Sequence, residues 1–298
     1  MKVFLAGCEN IPHFRACLAA KVKNNLISYY HADKTDKGNA ILTGLIKRSD
    51  EMICDSGLFT LMFGAGKGGS HSLGSMQTYV REYLQYAKII DSGNVTFVEA
   101  DVHKLLGMPA VFELRKRFED SGLKVLYTWH IEEGIDGLYK LADKYDYIAL
   151  SVPELRVLFT GKKMRYQDGV KDLLSKIRTH CGTKMPKIHL LGNTVQETME
   201  TNLAYSCDST SYIAGVKFGS CIIFKDKKLG KIHIRSSEFK ARLEALELEI
   251  PEDLLEMEKD IGGSGKRSNY IKTVTVSCHA YAQYQSFLDK NYKFIGGK

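Results

Sequence analysis

The chain has 298 residues, 44% hydrophobic and 26% charged, an ordinary composition for a folded globular protein. That length suits one barrel of about 250 residues with an extension, and the lack of an apolar run of about 18 residues excludes a spanning helix. Lysine and arginine exceed aspartate and glutamate by 42 to 35, so the net charge of +7 permits a polyanionic partner without demanding one.

The opening stretch from Met1 to Gly7 has too short an apolar run for a secretory leader and predicts a first strand. Seven cysteines, at 8, 17, 54, 181, 207, 221 and 278, then predict free thiols in a reducing compartment, the cytoplasm. Short apolar runs at 3–6, 52–54, 95–98, 124–128, 147–150, 187–191, 205–207 and 216–224 read as strands. Amphipathic segments at 75–90, 109–121, 134–144, 166–181 and 194–201 alternate with them. Eight strands interleaved with helices, without a glycine-rich first turn, predict an α/β fold, a (β/α)8 barrel of the TIM type, over a doubly wound sheet. The glycine-rich stretch 64–74 does not fit a phosphate loop, because Lys67 is followed by Gly68 rather than Ser or Thr. It reads as a loop at the barrel mouth.

After Phe224 the charged run 225–231 reads as a turn. Phe239, Leu243, Leu246 and Leu248 predict a helix, Pro251 starts a second, 262–265 is a linker, and Tyr270 to Leu288 predict a last helix whose tyrosines pack. The expected division is a catalytic barrel over 1–231 and C-terminal helices over 232–298 packing on it.

Residues just past the strand ends of such a barrel face the active mouth. Asp55 follows the second candidate strand, Asp101 the third and Asp208 the seventh, so three carboxylates are expected to converge. The nine histidines show no His-x-His and no His-x-x-x-His, Asp101-x-His103 being the nearest approach, so no metal and no cofactor are expected. Carboxylates without a metal suit nucleophilic or acid/base work at an acetal-type carbon.

Asp55-Ser56-Gly57-Leu58-Phe59 resembles the Asp-Ser-Gly-Gly-Phe signature of the tRNA-guanine transglycosylase family. Leu190-Leu191-Gly192-Asn193-Thr194 is similar to that family's Met-Gly-Val-Gly segment, and Cys207-Asp208 to the segment of its nucleophile. The stretch 98–102 resembles the one carrying a base-reading aspartate, and Ala149-Leu150-Ser151 a segment whose backbone touches the base. The likeness covers roughly residues 50 to 220. The family's Cys-x-Cys-x-x-Cys…His zinc site has no counterpart, so no zinc subdomain is expected, and Trp129-His130 stands near the place of a base-reading glutamine. Asp208-Ser209-Thr210-Ser211 followed by Tyr212 is similar to the DpdA-like branch, which inserts a 7-deazaguanine into DNA in phages and bacterial islands.

The resemblance implies exchange of a guanine in DNA for a preQ0-type 7-deazaguanine. Asp208 would be the nucleophile at C1′ and Asp55 the general base. Asp101 would accept hydrogen bonds from the base, with Phe59 stacking on it and Leu191 opposite. Ser56, Gly57, Trp129, Ala149, Leu150 and Gly192 complete the expected base site. Lys162, Lys163 and Arg165 are the expected phosphate contacts, with a second basic cluster at Lys225, Lys227, Lys228 and Lys231. Open alternatives are the same exchange on tRNA, a non-catalytic nucleic-acid-binding barrel, and a glycosidase or lyase on small nucleosides. No membrane partner is expected, and a homodimer stays open.

Overall fold

The structure, a computed structural model, describes residues 1–58, 72–160, 164–193, 195–247 and 266–297. Eight parallel strands close a barrel in sequence order: β1 Lys2–Ala6, β2 Asn24–Ser28, β3 Glu51–Asp55, β4 Val95–Val98, β5 Val125–Trp129, β6 Tyr147–Ser151, β7 Lys187–Leu191 and β8 Ser206–Ser209. The seam joins β8 back to β1, with Phe4 opposite Asp208.

Each strand's period of two divides its side chains between two cores. Phe4, Ala6, Leu26, Ile53, Val98, Leu126 and Ala149 fill the barrel, with Tyr147 and Leu191 packed against them. Their neighbours in sequence, among them Leu5, Ile27, Met52, Cys54, Phe97, Trp129, Ile148, Leu150, Leu190 and Cys207, face the surrounding helices. Burial on both faces explains why the strands read as continuous apolar runs. At the bottom of the barrel polar groups replace the apolar layer: Lys2 Nζ lies 2.5 Å from Glu51 Oε1, and the Tyr205 hydroxyl donates to the same carboxylate at 3.1 Å.

The helices between the strands are α1 Ile11–Ala19, α2 Asp36–Ile46, α3 Leu73–Ile90, α4 His103–Glu119, α5 Gly134–Lys144, α6 Val152–Phe159, α7 Tyr166–Cys181 and the short α8 Gln196–Met199. Another short helix, α9 Ser211–Ala214, follows β8. An antiparallel hairpin, β9 Ser220–Lys225 with β10 Lys228–His233, comes next. Helices α10 Ser237–Glu247 and α11 Lys266–Asn291 follow it. Helix α11 lies against β1, α1 and β9, and buries Tyr281, Tyr284 and Leu288. From it Gln285 accepts from the Val3 N–H at 2.7 Å and donates to the Met1 carbonyl at 2.9 Å. Among the described residues no helix is long and apolar enough to cross a membrane.

The barrel is the fold expected, but its strand count is reached differently. The sequence reading passes over β2, whose Asn24-Asn25 start hides a buried strand. It takes the stretch 216–224 as the eighth strand, whereas that stretch enters the separate hairpin. Asp55 therefore ends the third strand, Asp101 follows the fourth, and Asp208 lies on the eighth. The division expected at 231/232 falls inside β10. The helix expected from Pro251 and the linker at 262–265 lie outside the described residues.

Candidate functional site at the barrel mouth

Parallel strands in one closed barrel put all their C-terminal ends on one rim. Asp55 lies two residues beyond the interior Ile53 and shares its face, so its carboxyl points over the barrel axis. Asp208 lies two beyond Ser206 and is likewise inward. Asp55 and Asp208 come from strands separated by β1 and β2, and their charges act on each other across the opening. Burial raises Asp55, and the neighbouring charges of Asp208 and Asp101 raise it further, to about 7. Backbone hydrogen bonds from Gly57 and Ser56 pull the other way, the Gly57 N–H reaching Asp55 Oδ2 at 3.2 Å.

Gly57 makes that turn at φ +74°, where an added Cβ would meet Tyr30 Cβ at 2.4 Å and Ser28 Oγ at 2.5 Å. Only glycine fits both the backbone and the space. Ser56 is buried beneath the turn; its carbonyl accepts from the Tyr79 hydroxyl at 2.6 Å, which fixes the loop from below.

Asp208 is held on two sides. Its Oδ1 accepts from the Gly192 N–H at 2.7 Å and from His189 Nε2 at 3.3 Å. The fully buried His189 is braced in turn: its Nδ1 accepts from Ser206 Oγ at 2.8 Å, and Ser206 accepts from the Tyr147 hydroxyl at 2.5 Å. A line of hydrogen bonds thus runs from the barrel floor to the Asp208 carboxylate. One Asp208 oxygen is spoken for and 13% of the side chain is open at the mouth, so the carboxylate is held in place and still within reach of a ligand.

On the other side of the mouth lies a denser polar group. Asp101 bonds directly to His103 Nδ1, and His103 Nε2 lies 2.9 Å from Glu154 Oε1. Burial opposes charge on His103, but the two carboxylates outweigh it and raise the imidazole to about 9. Burial also opposes charge on Asp101, and the His103 bond with the nearby His130 and His103 charges holds it below the usual carboxylate range. His130 is wholly buried, its ring 4.2 Å from that of His103, and burial lowers its basicity. Behind this group Arg115 grips Glu99 through two bonds of 2.8 Å, while Glu99 accepts from the Thr128 N–H at 2.7 Å.

The other expected site residues divide. Ala149 lines the interior and Leu191 the mouth side of that core. Leu150 faces the outer core, so only its backbone is on the expected side. Trp129 is a correction: its parity sends the ring into the outer core, where its indole N–H donates to the Gly134 carbonyl at 3.0 Å. His130, one residue on, faces Asp101 instead, with Nδ1 at 3.6 Å from the carboxylate. Phe59, Lys162 and Lys163 lie outside the described residues. Arg165 is exposed but already engaged, with Asp168 at 3.0 Å and Glu197 at 2.9 Å, so a phosphate would have to displace carboxylates to reach it.

His189, Glu154 and the Glu99–Arg115 pair escaped the sequence reading, which placed His130 near the base site only as the neighbour of Trp129. One signal was present: His189 is two residues before Leu191 in a strand that is otherwise apolar after Lys187, which puts both on one face. Compared with known protein families the chain matches none, and no curated protein matches it.

Proposed function

We propose that this barrel is a base-exchanging transglycosylase acting on a nucleic acid, replacing guanine by a 7-deazaguanine, with DNA as the polymer. The observation that carries the reading is the pairing of an anchored carboxylate, Asp208, with a second one, Asp55, raised to about 7 by burial and by Asp208 itself. One carboxyl held by hydrogen bonds and a second raised by burial suit different work in one reaction.

In the first half-reaction an Asp208 oxygen attacks C1′ of the target nucleotide. The C1′–N9 bond breaks with its electron pair going to guanine, which takes up a proton from solvent as it leaves, and an aspartyl ester links protein to polymer. In the second, Asp55 takes the N9 proton of the incoming heterocycle, that nitrogen attacks C1′, and the ester bond breaks. Two displacements restore the original configuration at C1′. The target base must leave its stack to reach a mouth this deep, at a cost of a few kcal/mol. The choice of DNA follows the Asp208-Ser209-Thr210-Ser211 run and the missing zinc motif.

The test offers labelled guanine with duplex DNA or with unmodified tRNA. Label should enter DNA, and Asp208→Ala should abolish its entry while polymer binding survives. A denaturing gel should show a protein–DNA adduct for the wild type; an adduct that persists in Asp208→Ala removes Asp208 as nucleophile. Label in tRNA alone reverses the choice of polymer. Free base released from nucleosides, without exchange, makes the protein a hydrolase or lyase.

A further inference from the structure

We propose that Asp101, His103 and His130 form a binding site for a divalent first-row transition ion of the zinc class, with Glu154 as its outer partner. The three donors come from two adjacent strand ends, Asp101 and His103 after β4 and His130 after β5. One donor atom from each lies within 4.8 Å of the others. The gap from Asp101 Oδ1 to His130 Nδ1 is 3.6 Å. A tetrahedral ion with bonds of about 2.1 Å needs an edge of about 3.4 Å, so this pair already stands at ligand spacing.

An independent observation points to a missing occupant. His130 is 0% exposed, and neither of its ring nitrogens has a hydrogen-bond partner. Leaving a buried imidazole unsatisfied is costly, and an ion beside Nδ1 removes the cost. The surroundings have the second feature of such sites: a ligating histidine turns its other nitrogen to a carboxylate, as His103 Nε2 does to Glu154 Oε1 at 2.9 Å. Entry of the ion would part the direct His103–Asp101 contact, with His103 Nδ1 turned from the carboxylate to the metal.

The donor set selects the ion. Two imidazoles and one carboxylate suit zinc and its neighbours, whereas magnesium and calcium want oxygen alone. Three protein ligands leave a fourth position, on the Asp101 side, where that side chain is 30% exposed at the mouth. Another group, Asp143, His180 and Cys181, also has donor atoms at ligand distances. There the His180 side chain is 32% exposed and neither of its nitrogens is buried without a partner, so the group serves as an internal control.

Ion binding stands apart from the exchange chemistry and is read without it. Full-length protein is stripped with a chelator, dialysed, and titrated with Zn2+ alone by calorimetry and with Co2+ by visible absorption. Wild type and His180→Ala should bind one equivalent alike, and Co2+ should give the strong bands of a four-coordinate ion. His130→Gln and Asp101→Asn should weaken binding by about 100-fold or more, and Glu154→Gln by about 10- to 100-fold. Circular dichroism verifies folding, and Glu154→Gln, outside the ligand set, keeps the test open if the ligand variants unfold. No bound equivalent in the wild type, or one lost only in His180→Ala, or one indifferent to Glu154→Gln and His130→Gln, overturns the site.

Discussion

Asp55→Asn should make the protein more stable at neutral and alkaline pH and leave it unchanged in acid. In the folded chain Asp55 is raised to about 7, by burial first and by Asp208 next. In the unfolded chain an aspartate titrates near ~3.9. A carboxyl raised on folding adds nothing unfavourable below about 4, where both states hold the proton. Between about 4 and 7 the unfolded state releases it more readily, so stability falls as pH rises, and the loss levels off above about 7. Each tenfold step is worth about 1.4 kcal/mol, so the full loss is about 4 kcal/mol. Asp55 is only partly buried at the mouth, and screening by water there reduces the figure to about 2 kcal/mol. The Gly57 N–H can still donate to an asparagine oxygen, so the turn survives the change. Denaturant unfolding of both proteins between pH 4 and 9 measures the difference directly. Curves that stay parallel over that range, or a variant less stable above pH 7, would show that Asp55 is not held protonated by its surroundings.

If Asp55 is the general base, kcat/KM for exchange should climb as pH rises toward about 7 and flatten beyond it, since the base works ionised; a pH-independent acid limb speaks against that role. His189→Phe should keep the fold and lower kcat about tenfold with KM little changed, because it removes one of two bonds that aim Asp208; steady-state kinetics with the adduct gel would tell slower attack from lost binding. Arg115→Met should cost about 3–5 kcal/mol by stranding the buried Glu99, a fall of roughly 10 °C in thermal midpoint; a change within a degree or two would mean that Glu99 is neutral and the pair dispensable.

Much of the barrel could be read from the sequence because strands buried on both faces leave long apolar runs, and Ile53, Val98 and Ala149 sit in such runs. Strand β2 could not, because its buried Asn24 and Asn25 are polar; Asn25 is satisfied by Ser49 at 3.0 Å, a partner far along the chain. The 216–224 run was misleading for the opposite reason: Cys221, Ile222 and Ile223 are buried, but against α11 and its neighbours rather than in the barrel. The aspartates at the mouth follow from their place after strands. What holds them does not, since Gly192 reaches Asp208 through its backbone and Ser206 reaches His189 only after two strands pair. Trp129 and His130 show how one residue of parity exchanges a wall of the outer core for a member of the mouth.

The seam between β1 and β8 carries a consequence for assembly. Asp208 faces Phe4 across it, and Gln285 of α11 fastens the backbone of the same first strand. Asp208 is thus framed by segments that lie far apart along the chain. Contacts so distant in sequence form slowly, because a long loop must close before they are rewarded. Until β8 has emerged from the ribosome the sheet would keep β1 as an open edge, with no closed mouth, and the ring would shut in one late step.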